Sequence, residues 1–203
     1  NKVIVALDFP SKEEAMALVD QLSPSACGLK IGKELFTRAG PAFVTSLVDR
    51  GYSIFLDLKF HDIPSTVAKA VCIASDLGVW MTNLHASGGM RMMSMAKEAL
   101  LQKHSDMLLV GVTVLTSMDE AELLESGVQR SLNDQVLYLS CKAKASGLDG
   151  IVCSAQEVRR VKEETGDKFI AVTPGIRLSE NNDDDQRRVV NPSEAAALGS
   201  DYI

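Results

Sequence analysis

The sequence predicts an α/β protein, specifically a (β/α)8 barrel of the TIM type, and three observations lead there. Short apolar or β-branched runs alternate along the chain with longer stretches of helical character. Helix-starting signals follow the runs and glycines precede them. No Gly-x-Gly-x-x-Gly follows the first run, which sets a barrel ahead of a doubly wound sheet.

Taken in order, the runs at 3–7, 28–31, 52–56, 80–84, 108–114, 150–153 and 169–172 read as seven strands, and an eighth begins at Tyr202. Ser11 with Glu14, Ser117 with Glu120 and Ser154 with Glu157 have the spacing of capping boxes. Asn191-Pro192-Ser193-Glu194 opens a helix by the same logic, with proline at its first position. Gly51, Gly78, Gly147, Gly166 and Gly199 stand where a left-handed residue ends a helix before the next strand. The repeat is unbroken, so residues 1–203 read as one catalytic domain. The polar, acidic stretch at 179–188 carries no strand or strong helix signal; it reads either as a disordered surface loop or as a mobile lid, and the lid is expected over 178–188.

A chain of 203 residues with 46% hydrophobic content can bury one sizeable core. The formal net charge of −6 argues against a phosphate-tracking nucleic-acid binder, which normally shows a basic patch, although small anions can be held locally. No stretch reaches roughly 18 consecutive apolar residues and the N-terminus has no secretory pattern, so the expectation is a cytoplasmic protein with no membrane contact. Cys27, Cys72, Cys141 and Cys153 are scattered without metal-ligand spacing and read as reduced, partly buried thiols.

Chemistry concentrates in Asp57-Leu58-Lys59-Phe60-His61-Asp62-Ile63-Pro64-Ser65-Thr66, directly after the third run. Strand alternation sends Asp57 and Lys59 to the same face, and Pro64 turns the chain into a helix. Two carboxylates and an ammonium in six residues are costly to desolvate unless they neutralise one another, which points to a reactive cluster rather than packing. In a barrel, active sites gather at the C-terminal ends of the strands. The polar residues at those ends are Asp8, Lys30, Asp57, Lys59, His85, Thr113, Thr116, Ser117, Ser154, Thr173 and Arg177. Arg177, after the Pro174-Gly175 turn, is placed to hold a phosphate. Gly88-Gly89 reads as a tight turn, and Met90-Arg91-Met92-Met93 as core or subunit packing.

These residues carry a resemblance. Val5-Ala6-Leu7-Asp8, Leu29-Lys30-Ile31-Gly32-Lys33-Glu34, the span 57–66, His85-Ala86-Ser87-Gly88-Gly89, the span 112–117 and Thr173-Pro174-Gly175-Ile176-Arg177 resemble the orotidine 5′-monophosphate decarboxylase family in its bacterial form. The likeness covers the whole chain, and Asp-x-Lys-x-x-Asp-Ile-Pro-x-Thr is its specific part. It implies decarboxylation of orotidine 5′-monophosphate to uridine 5′-monophosphate and carbon dioxide, in pyrimidine biosynthesis, with neither metal nor organic cofactor. Lys59 is implied as proton donor within an alternating network of Lys30, Asp57, Lys59 and Asp62. The resemblance further implies that Asp8 and Lys30 bind ribose hydroxyls, Thr116 and Ser117 the pyrimidine ring, and Arg177 and Gln186 the phosphate. It implies a homodimer in which Asp62 and Thr66 enter the partner's site. The family continues past its eighth strand with a Gly-Arg pair and a final helix. A chain that starts at Asn1 and stops at Asp201-Tyr202-Ile203 is therefore expected to be trimmed, with its eighth strand and final helix cut short.

Two alternatives stand beside this reading. A sugar-phosphate decarboxylase or synthase of the same superfamily, working with a divalent metal, shares Asp-x-Lys-x-x-Asp but not Ile-Pro-x-Thr. A non-catalytic nucleotide-binding barrel has no use for the desolvated lysine and aspartates.

Overall fold

A computed structural model describes residues 2–177 and 190–203 of the chain. Seven strands, all parallel, pair in sequence order: β1 (Ile4–Ala6), β2 (Gly28–Gly32), β3 (Ile54–Phe60), β4 (Met81–His85), β5 (Leu108–Val112), β6 (Gly150–Val152) and β7 (Ile170–Val172). Helices α1 (Lys12–Val19), α2 (Lys33–Asp49), α3 (Pro64–Asp76), α4 (Met90–Gln102), α5 (Glu120–Glu125), α6 (Leu132–Ala145), α7 (Ala155–Thr165) and α8 (Pro192–Ala197) connect them. Residues 200–203 tie the last strand to the first. Tyr202 bridges Val172, the Ile4 amide donates to the Ile203 carbonyl at 2.8 Å, and the Ile203 amide donates to Lys2 at 2.9 Å. The Asp201 carboxylate clamps this turn by accepting from Lys162 Nζ at 2.7 Å and the Ala171 amide at 2.8 Å.

Strand alternation builds two cores. Leu29, Ile31, Ile54, Leu56 and Ile151 face the helices, whose buried stripes supply Val19, Phe43, Val71 and Val158. Each such buried side chain contributes roughly 1.5–3 kcal/mol. The opposite face of the sheet carries Phe55, Met81, Val110, Val112, Val152 and Val172, closed below by Trp80 and Tyr202 in an edge-to-face pair 4.9 Å apart. The next inward positions along the strands are Asp8, Lys30, Asp57 and Asn83. An apolar floor therefore lies beneath a polar layer.

The predicted boundary signals hold with one correction. Ser154/Glu157 and Asn191/Glu194 form complete capping boxes, Ser11 accepts the Glu14 amide, and all five predicted helix-end glycines have positive φ. Ser117/Glu120 does not cap: after β5 the chain runs on as a loop, and Asp119/Glu122 forms the box that starts α5. Ser117 is left facing the cavity described below. The β5–β6 connection also holds a second helix, α6, capped by Ser131, where one was expected. Gly88-Gly89 is a turn into α4, with Gly89 at φ 90°; Met92 and Met93 are buried while Met90 is partly exposed. Among the described residues no helix is long and apolar enough to cross a membrane. The four cysteines are free thiols, Cys27 and Cys153 buried and Cys141 exposed.

Candidate active site

The strand ends enclose a cavity of about 410 Å³, within the usual size for a small-molecule site. Ile4, Phe55, Val152 and Val172 form its apolar base, and Asp8, Lys30, Asp57, Lys59, Thr116, Ser117 and Arg177 its polar wall. Together with Thr173, eight of the predicted strand-end residues, drawn from five separate loops and strands, thus meet in one place. Three cations face two carboxylates there, one positive charge in excess in a chain of net charge −6, so the cavity favours an anionic ligand.

Asp57 is the centre of the array. It is 8% exposed, and its Oδ1 accepts from Lys59 Nζ at 2.7 Å and from Asn83 Nδ2 at 2.7 Å. Lys30 Nζ lies 3.7 Å from its other oxygen and 3.2 Å from Asp8 Oδ1. Burial acts to raise the Asp57 carboxyl. The Lys59 ammonium and its hydrogen bond, followed by Lys30 and the Asn83 amide, outweigh that burial and hold the group below the ordinary carboxylate range. Asp57 is therefore ionised at neutral pH, and two ammonium groups are fixed around it.

Lys59 itself is placed by an irregular strand. β3 was predicted to end at Leu56 but continues to Phe60, and its register against β4 slips between Leu56 and Phe60. Two residues of β4 separate the partners of Leu56 and Phe60, against four of β3, as in a bulge. Lys59 falls within it with φ 52°, a left-handed conformation that costs a non-glycine residue about 1–3 kcal/mol. Its amide donates to Asn83 Oδ1 at 2.7 Å. Asn83 is fully buried, contacts both reactive residues, and was missed by the sequence reading. Alternation along β4 from Met81 was the available signal, because it turns Asn83 inward at the level of Asp57.

Apart from Thr173, the other predicted residues fall elsewhere. Thr113 donates to the Val152 carbonyl at 2.9 Å and serves the strands, and Ser154 caps α7. His85 is half-buried, its ring 5.4 Å from that of His61. Burial first, then His61, Lys33 and Lys59, lower its pKa to about 4 against the opposing pull of Asp57, so it is neutral at pH 7. Thr173 lines the cavity and hydrogen-bonds Ser200. Asp62 and Thr66 are exposed and do not line this cavity within one chain; Asp62 Oδ1 accepts the amide of Ile63 at 2.6 Å. Arg177 is held at the rim, its amide donating to Val190 at 3.1 Å. Gln186 and the lid expected at 178–188 lie outside the described residues. Among the described residues no three His, Cys, Asp or Glu side chains group as a metal site.

The sequence model of the orotidine 5′-phosphate decarboxylase / HUMPS family matches residues 1–203. The chain belongs to this family. It is 54% identical over 203 residues to a protein named orotidine 5′-phosphate decarboxylase from Pseudoalteromonas translucida, covering 100% of this chain and 87% of that one. A protein of the same name from Vibrio cholerae is 54% identical over 203 residues, with 100% and 88% covered. The crystal structure of orotidine 5′-phosphate decarboxylase from Lactobacillus acidophilus superposes with a TM-score of 0.87 at 39% identity, covering 99% of this chain and 88% of that one. The family thus extends over the whole cavity, from Asp8 on β1 to Arg177 after β7.

Proposed function

We propose that the protein decarboxylates orotidine 5′-monophosphate to uridine 5′-monophosphate and carbon dioxide in pyrimidine biosynthesis, as a carbon–carbon lyase that needs neither metal nor organic cofactor. The observation that carries this reading is the Lys30–Asp57–Lys59 array, 2.7–3.7 Å apart at the edge of an anion-favouring cavity. Loss of carbon dioxide leaves an electron pair on the pyrimidine carbon with little resonance relief, so the site has to supply electrostatic stabilisation. Lys59, held in place by Asp57, stabilises that pair and then protonates it. The buried Asp57 faces the departing carboxylate. Asp8 and Lys30 take the ribose hydroxyls, Thr116 and Ser117 the pyrimidine, and Arg177 with Gln186 the phosphate. Binding energy gathered at the phosphate by a lid over 178–188 then lowers the barrier at the distant carbon.

The fold in this reading is a single-domain (β/α)8 barrel whose eighth strand is represented by Tyr202 and Ile203, supported by their hydrogen bonds to both β7 and β1. The working unit is a homodimer, with Asp62 and Thr66 completing the partner's array. The exposure of both residues supports this, as does Ile63 beside them, an apolar side chain 64% exposed. The protein works in the cytoplasm.

The test is incubation of the protein with orotidine 5′-monophosphate and a metal chelator, following uridine 5′-monophosphate and carbon dioxide. Product at a rate unaffected by the chelator is the expected result. No product from folded protein rejects the reading, and sugar phosphates with magnesium are then the substrates to try.

A further inference from the structure

We propose that Asn83 is a positioning residue for Lys59, holding both the bent backbone that aims the ammonium and the carboxylate that orders it; this rests on the decarboxylation reading of the same cavity. The Asn83 side chain is fully buried between the two groups. Its Nδ2 donates to Asp57 Oδ1 at 2.7 Å and its Oδ1 accepts the Lys59 amide at 2.7 Å. These partners fix the orientation of the amide, because a flipped group would set oxygen against carboxylate and N–H against N–H. The second bond meets a particular need. The slipped register of β3 against β4 removes Lys59 from the regular ladder, and its φ of 52° is a conformation that a lysine does not adopt unaided. The Asn83 carbonyl oxygen receives the Lys59 N–H in that bent conformation.

A hydrophobic side chain at position 83 would continue the packing below it, where Met81 occupies the same face of β4. It would leave the Lys59 amide and one Asp57 lone pair without these partners. Asn83 thus contacts the backbone of one reactive residue and the side chain of the other. Asn83 is not itself placed against substrate, since it does not line the cavity.

Two variants of the full chain test this. Asn83→Ala removes both bonds, and the expected result is a kcat lowered about 10- to 100-fold, the scale of a reacting group misplaced by about an ångström. KM and the affinity for uridine 5′-monophosphate stay within about threefold, because contacts to the phosphate and ribose are untouched. Asn83→Asp keeps the shape and the acceptor for the Lys59 amide but sets a second carboxylate against Asp57. The charged and titratable groups facing Asp57 are Lys59 on β3, Lys30 on β2, Asp8 after β1 and His85 on β4. Two adjoining carboxylates resist joint ionisation, so the acidic limb of the kcat profile moves up by about one pH unit or more. That shift reports only that position 83 abuts Asp57; the positioning role is read from the split of kcat against KM in the alanine variant. If the alanine variant fails to fold, Asn83→Ser, whose short side chain cannot span both partners, takes its place under the same split of kcat against KM. A folded variant lacking both bonds with kcat within about twofold of wild type overturns it, as does a loss of kcat matched by equal losses in KM and nucleotide affinity. An inactive wild type overturns the decarboxylation reading and this role together, whereas an active wild type with indifferent variants overturns this role alone.

Discussion

Lys59→Ala separates chemistry from binding. The ammonium lies 2.7 Å from Asp57 and its side chain is 27% exposed. At an effective dielectric of about 20, unit charges about 4 Å apart attract by roughly 4 kcal/mol. Partial exposure and the desolvation of Asp57 reduce the net value of the pair to about 1–2 kcal/mol. Lys30 at 3.7 Å and the Asn83 amide continue to compensate the carboxylate, so the variant is expected to fold. Its chemistry loses far more. A positioned proton donor contributes about 10²- to 10⁴-fold and a fixed electrostatic partner about 10²- to 10³-fold, so kcat is expected to fall by at least about 10⁴-fold. That is about 5.5 kcal/mol of transition-state stabilisation at about 1.36 kcal/mol per decade. The assays are kcat from the absorbance change of orotidine 5′-monophosphate, nucleotide affinity by calorimetry, and thermal melting to establish folding. Uridine 5′-monophosphate should bind within about tenfold of wild type, because Arg177 and the ribose contacts remain. A folded variant that retains kcat within about 100-fold of wild type would refute Lys59 as the proton donor.

Three further outcomes are expected. The His85 pKa of about 4 lies below the ordinary value of 6.5, so between those two pH values the unfolded chain binds a proton that the folded one refuses. Stability is accordingly full above pH 6.5 and is lost as pH falls toward 4, by about 1–2 kcal/mol after allowance for the half-exposed ring. Urea midpoints at the two ends of that range check this, and His85→Asn should flatten the slope; an equal slope in the variant contradicts it. Gly150 lies in β6 opposite Ile170, where an added Cβ would fall 2.6 Å from the Ile170 Cβ and against the Ile170 carbonyl oxygen. Gly150→Ala should therefore cost about 2–3 kcal/mol and lower Tm by roughly 5–10 °C, and a Tm within about 2 °C of wild type would contradict that packing. Arg177→Ala should raise KM for orotidine 5′-monophosphate about 100-fold, the value of a charge-assisted contact to phosphate, while leaving turnover of the nucleoside orotidine unchanged. Equal losses on both substrates would remove Arg177 from the phosphate.

The fold was legible because its signals are local. Apolar runs, capping residues and helix-end glycines each act within a few residues of where they stand, and their order alone determines which strand follows which. Where a signal could be satisfied in two ways, the reading slipped. Ser117-Met118-Asp119-Glu120-Ala121-Glu122 contains two candidate caps two residues apart. The longer loop won, with Asp119 as the cap and Ser117 turned to the cavity. Nothing within six residues distinguishes these, since the choice depends on how far β5 must travel before its helix can return across the sheet.

The site was legible for a different reason and only in part. Asp8, Lys30, Asp57, Lys59 and Arg177 converge because side chains at the carboxyl ends of neighbouring parallel strands share one face, so topology turns separate motifs into one wall. What alternation cannot supply is the bulge. Strict period-two alternation through Phe55, Asp57 and Lys59 already sends Lys59 inward, so no irregularity is needed to explain its direction, and none was foreseen. The slip becomes necessary only once β4 is in place, because Leu56 and Phe60 pair with residues two apart on that strand. The excess length of β3 bends at Lys59, and an orphaned amide appears there. The asparagine that satisfies it is 24 residues away and reads in sequence as an ordinary polar interruption of Met81-Thr82-Asn83-Leu84. The reactive lysine is thus specified by its own motif, while its orientation is specified by a neighbouring strand, and only the paired structure joins the two.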